Sequence, residues 1–265
     1  MTRLGSSRLA RGLVTAAGLV IVWQLIVTLG GLPPYILPAP LEVALEWVER
    51  REVIVHHGLI TAAEILLGLV FGTALGTISA LIIAFSRPAR RWLMPVLIVS
   101  QAIPVFALAP LLVLWLGYGM VSKVAMATLI IYFPVTAAFL DGLRRTEPGW
   151  LDLAKTMTDG VLTGGRQRLS ILFRLRVPAA LPALASGLRV AAAFAPIGAV
   201  VGEWVGSSGG LGFLMLHANG RMQTDLMFAA LLTLAVFSLL LWFSLDAALR
   251  RALPWQPDTH PDEKE

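Results

Sequence analysis

Six runs of apolar residues, each near or above the roughly 20 residues that a helix needs to cross a hydrocarbon layer about 30 Å thick, constrain this chain more than any other feature. They fall near 12–30, 61–85, 93–116, 124–140, 184–205 and 226–248. Backbone groups in hydrocarbon must satisfy one another, so runs of this length predict an all-α integral membrane fold of six transmembrane helices, forming a single domain over 1–265. Composition agrees, because 57% of the residues are apolar and only 14% are charged, too few to coat a water-soluble domain, in which about 25% is usual. With no cysteine there is no disulfide framework, thiolate metal site or cysteine nucleophile.

The net charge of +5 is spread in short clusters between the apolar runs and not gathered on one face, which argues against nucleic acid and for membrane topology. Alternate segments hold sixteen Lys and Arg against four, with Arg189 left inside a helix. Both termini and the loops at 86–92 and 141–178 are therefore expected on the cytoplasmic side. The first run follows Arg3, Arg8 and Arg11 as a secretory signal would, but it is long and lacks a small-residue cleavage site before Pro33 and Pro34. It reads as an uncleaved helix.

The second run carries Gly68, Gly72, Gly76, Ala80 and Ala84 at a spacing of four, a small-residue seam that lets another backbone approach. Its two readings are a contact within one bundle, the commoner case, and a dimer interface. Glu64 on the same run reads as a snorkelling or capped carboxylate before a transport residue. The third run holds Pro95, Pro104 and Pro110 around Gln101, and a helix so often deprived of hydrogen bonds suits the wall of a wet pathway. The fifth ends in GEWVGSSGGLG, residues 202–212, where Glu203, Trp204 and a flexible glycine run meet at the outer interface. Gln101, Pro104, Glu203 and Trp204 are thus pathway candidates. Arg189 is expected to reach the cytoplasmic headgroups, Asp246 to pair with Arg250 four residues on, and His56 and His57 to be solvated.

The longest and most basic connection, 141–178, contains Trp150, Leu153, Ala154 and Met157 at helical spacing, one apolar stripe on a short helix. Pro148 suits its first turn and Thr146 is placed to cap it. The stripe could lie on headgroups or enter a groove on a partner.

LDLAKTM (151–157) followed by GRQRLSILFRLRVPAALP (165–182) resembles the cytoplasmic loop of binding-protein-dependent ABC importer permeases, which forms a coupling helix that docks into a cleft of the ATPase subunit. The family's Glu-Ala-Ala falls on Asp152, Leu153 and Ala154, its glycine on Gly165 and its later proline on Pro178, with Lys155 between. Asp and Leu replace the expected Glu and Ala, and TDGVLTG is inserted before the glycine. LPPYILPAPLEV, LWLGYGMVSK, FLDGLRRTEPG and GEWVGSSGGLGFLM extend the likeness to the nitrate, sulfonate and taurine subfamily, and QAIPVFALAPLLVLWLGYG most resembles permeases assigned to hydroxymethylpyrimidine, a thiamin precursor.

The resemblance implies a type I ABC importer permease fold in the bacterial inner membrane. Its partners would be an ATP-binding-cassette ATPase, an extracytoplasmic substrate-binding protein and a second copy of the chain, with alternating access as the mechanism. No GxxxxGK[ST] loop is present, so ATP chemistry is expected in another chain and no cofactor or metal in this one. His56, His57, His217 and His260 form no metal-spaced set with carboxylates. Other substrates within the subfamily, including sulfonate, taurine, nitrate and riboflavin, are alternatives. A gradient-driven carrier using Glu64, Glu203 or Asp246, and a non-transporting scaffold, are the readings from other classes.

Overall fold

A computed structural model describes residues 2–158 and 164–255, without the side chains of 2–9 and 100–102. Gln101's side chain and His260 lie outside the described residues. Among them every regular element is helical. In chain order these are α1 (Thr2–Gly30), α2 (Pro40–Glu49), α3 (Arg51–Phe85), α4 (Arg87–Ala102), a 3-10 turn (Val105–Leu108), α5 (Ala109–Leu116) and α6 (Met120–Arg144). Then follow α7 (Pro148–Thr158), α8 (Gly164–Ile171), a π-helical turn (Leu172–Arg176), α9 (Val177–Gly206), α10 (Leu211–Gly220) and α11 (Thr224–Ala252).

Among the described residues five stretches are long and apolar enough to cross a membrane: Ala10–Gly30, Arg51–Phe85, Met120–Arg144, Gly164–Gly206 and Thr224–Ala252. The third expected crossing, 93–116, is not one helix. Pro104 disfavours the helical conformation at the residue before it, and Ile103 is extended (φ −87°, ψ 118°). The chain restarts as a 3-10 turn behind Pro104 and again as α5, with Pro110 in its first turn. The expected loop 141–178 is also mostly helical, since α6 runs to Arg144 and Pro178 sits in the first turn of α9, directly behind the π-helical turn.

The described residues group into two compact units, 2–60 with 209–235 and 61–208 with 236–255. In the first, α2 opens with Pro40, and Glu42 accepts the Ala39 amide at 2.9 Å. Trp47 Nε1 donates to Thr233 Oγ1 (3.0 Å), Trp23 Nε1 to the Pro38 carbonyl (3.1 Å) and Thr224 Oγ1 to the Pro34 carbonyl (3.0 Å). Gly210, in a left-handed conformation at φ 117°, starts α10 and donates its amide to His57 Nδ1 at 3.0 Å. His57 is therefore half-buried and engaged, not simply solvated as expected.

The second unit is built around α6. Gly68, Gly72, Gly76, Ala80 and Ala84 of α3 are all buried, and the three glycines face α6. A Cβ at Gly72 would lie 2.6 Å from Ile131 Cγ2, and one at Gly76 would lie 3.0 Å from the Tyr132 carbonyl. On the other side, a Cβ at Gly187 of α9 would lie 2.9 Å from the Pro134 carbonyl. Helices without a hydrophobic drive between them gain by this backbone proximity. Gly72→Val is expected to push α3 off α6 and lose roughly 1–3 kcal/mol through overpacking, read as a lower unfolding temperature in detergent. An unchanged temperature would contradict the seam.

Candidate functional site

Near the start of α6 and the end of α9 the second unit buries a set of charges that the apolar runs do not announce. Thr61 and Glu64 lie three residues apart on one face of α3 and are both fully buried. Lys123, in the first turn of α6, is 5% exposed, and Glu203, in the last turn of α9, is 1% exposed. Gly202 permits the convergence, since a Cβ there would come 3.3 Å from Lys123 Cα. The Lys123 ammonium forms an ion pair with Glu64 Oε1 and donates to Ser207 Oγ at 3.1 Å. Thr61 Oγ1 donates to Glu203 Oε1 at 2.6 Å.

Charges taken from water are tolerated only when paired and hydrogen-bonded. Here the Glu64 carboxylate pairs with the Lys123 ammonium and the Glu203 carboxylate accepts from Thr61, with the Ser207 hydroxyl completing the set. Its effect is to bind α3 to the start of α6 and the end of α9 where the glycine run begins. Glu64 is thus not the expected snorkelling or capped carboxylate, because it is fully buried and Lys123, 59 residues away on another helix, reaches it. Lys123 is the residue that sequence reasoning missed: it was counted among loop cations, although its position four residues after Gly119 and beside an apolar run hinted otherwise. Arg189 is likewise corrected. Its Nε donates to Asp246 Oδ1 at 2.6 Å, and Asp246 also accepts from Arg250 at 2.8 Å, so the charge is answered within the protein and does not extend to headgroups.

The other pathway candidates are not part of this set. Pro104 is exposed at the break before the 3-10 turn, and Trp204, next to the buried Glu203, is 52% exposed.

At the far end of α6, α7 forms the expected short amphipathic helix. Trp150, Leu153 and Met157 are 60%, 61% and 73% exposed on its outer stripe, with Ala154 beside them. Asp152 and Lys155 pair at 2.8 Å on the polar side. Thr146 does not cap α7. It is buried and its hydroxyl turns back to the Leu143 carbonyl at 3.4 Å, closing α6, and Arg176 donates to the same carbonyl at 3.1 and 2.6 Å. Gln167 of α8 donates to Thr158 Oγ1 at 2.9 Å, fastening α8 to α7. Gly164 takes φ +61° and Gly165 follows it, exposed. Most of the inserted TDGVLTG, residues 159–163, lies outside the described residues.

Residues 72–255 match the family described as the inner membrane component of binding-protein-dependent transport systems. The chain belongs to this family. The permease is 56% identical over 244 residues to a "Probable ABC transporter permease protein" of Haemophilus influenzae, covering 92% of this chain and 97% of the relative. It is 34% identical to the formylaminopyrimidine transport permease protein ThiX of Halalkalibacterium halodurans, over 90% and 92% of the two chains. Among solved structures it resembles a chain of the MetNI methionine ABC transporter in an inward-facing conformation, with a TM-score of 0.64 and 19% identity over 77% and 97% of the chains. The permease therefore has the type I ABC importer fold in the inner membrane. It is a transport subunit whose ATPase is a separate polypeptide, and its family works with an extracytoplasmic binding protein.

Proposed function

We propose that this permease imports hydroxymethylpyrimidine or a close pyrimidine analogue. The relative whose name specifies formylaminopyrimidine, alike over nine-tenths of the chain, is the observation that carries the substrate. The whole chain works as one permease domain within a homodimer whose copies enclose the pathway, with both termini and α7 in the cytoplasm. The exposed stripe of α7 supports its docking on the ATPase through Trp150, Leu153, Ala154 and Met157, with Asp152 and Lys155 on its rim and Gly165 and Pro178 setting the helices that follow. Gln101, Pro104 and Trp204 line the pathway, and Trp204 offers a ring on which a flat heterocycle can stack. Glu203 acts from behind it by fixing the end of α9.

The test is ATP-dependent uptake of labelled hydroxymethylpyrimidine into vesicles holding the permease, its ATPase and its binding protein. Unlabelled hydroxymethylpyrimidine should compete, whereas taurine, alkanesulfonate, nitrate and riboflavin should not. Uptake of one of those in its place would overturn the substrate and leave the class standing. Uptake by the permease alone, indifferent to ATP, would favour the gradient-driven carrier. That rival already lacks a free carboxylate at Asp246, which is held by two arginines.

A further inference from the structure

We propose that the cleft behind α7 is an anion site that takes a phosphate group, and that a phospholipid headgroup occupies it. The cleft has a volume of about 370 Å³ and five cations line it: Arg87 and Arg90 of α4, Lys155 of α7, Arg168 of α8 and Arg176 of the π turn. No carboxylate lines it. Asp152 offsets only Lys155. Arg90 is anchored on the Ile83 and Ala84 carbonyls at 3.4 and 3.3 Å, and Arg176 on the Leu143 carbonyl, so two guanidinium groups are held in place with donors to spare. Arg87 and Arg168 meet no acceptor among the described residues. Four elements thus converge on like charges, an arrangement that is unfavourable until an anion neutralises it, and arginine forks match phosphate oxygens in pairs.

The remaining walls choose the source of the phosphate. Phe85, Leu151, Ile171 and Leu172 line the same cleft, and Phe85 is the last residue of a spanning helix, where hydrocarbon gives way to headgroups. Free phosphate gains nothing from apolar walls, whereas a lipid can lay the start of its chains along them. Leu151 and Lys155 lie one helical turn apart on the face of α7 opposite Leu153. The site can therefore be filled while the outer stripe is engaged, and it is independent of the substrate assignment.

The test uses the full assembly in mixed lipid and detergent, with bound lipid counted by native mass spectrometry. Phosphatidylglycerol should be retained over phosphatidylcholine, and the double variant Arg87→Gln/Arg168→Gln should retain roughly ten-fold less. Arg91→Gln, an exposed neighbour that does not line the cleft, should retain as much as the parent. Both changed arginines are exposed and cap no helix, and equal unfolding temperatures in zwitterionic lipid verify intact folding. Inorganic phosphate that binds the parent and not the double variant, with no lipid preference, would uphold the anion site and overturn the lipid as its occupant. Equal phosphatidylglycerol retention by the double variant would overturn the site. So would loss of the ATPase subunit with lipid retention unchanged, which would make these cations a protein interface.

Discussion

Leu153→Arg should abolish ATP-dependent uptake while the permease still folds and inserts. Leu153 is 61% exposed at the middle of the α7 stripe, so its replacement disturbs little packing inside the chain. Its contribution must come from outside. Burying a leucine side chain is worth about 1.5–3 kcal/mol, and putting an unpaired guanidinium into the same apolar contact adds a desolvation penalty of several kcal/mol. At about 1.4 kcal/mol per factor of ten, docking on the ATPase should weaken by roughly a hundred-fold or more, enough to uncouple the assembly at ordinary concentrations. Trp92→Arg, on α4 where the side chain is 75% exposed, adds the same charge away from the stripe and should leave uptake close to normal. Full uptake by Leu153→Arg, or equal damage from both variants, would remove α7 from the ATPase interface. Co-purification of the ATPase with each variant separates lost docking from lost transport.

The membrane class, the helices and the α7 stripe were legible because each depends on local pattern. Length and hydropathy mark α1, α3, α6, α9 and α11, and 3.6-residue spacing marks Trp150, Leu153 and Met157. The smaller elements were missed for a length reason. With ten residues each, α2 and α10 fall below the span of a bilayer, although Pro40 with Glu42 is a readable helix start. The third run misled by its hydropathy: its apolar length suggested one crossing, but the proline at 104 sets the backbone of Ile103 and breaks it. What stayed hidden are pairings across sequence distance. Glu64 with Lys123, Thr61 with Glu203, and Arg189 with Asp246 are chosen by which helices meet, and neither partner's neighbourhood specifies the other.

Those pairings carry the second large expectation, since Lys123→Met should be far more damaging than its single charge suggests. Removing the ammonium leaves Glu64 as a buried carboxylate without its cation. An uncompensated buried charge costs about 3–5 kcal/mol, a large part of a typical domain's stability of about 5–15 kcal/mol. The variant should unfold at a much lower temperature in detergent or be missing from the membrane fraction. Met approximates the aliphatic stem of lysine, so a cavity explains little of this loss. The decisive variant is Lys123→Met/Glu64→Gln, which removes the ion pair as a unit and leaves Glu203 held by Thr61. If the loss is electrostatic, the double variant should recover most of the stability that Lys123→Met forfeits, and the two changes should be strongly non-additive. Additive losses would mean that packing, and not charge, joins α3 to the start of α6 and the end of α9. Recovery would make the cluster a lock whose members can be exchanged only together.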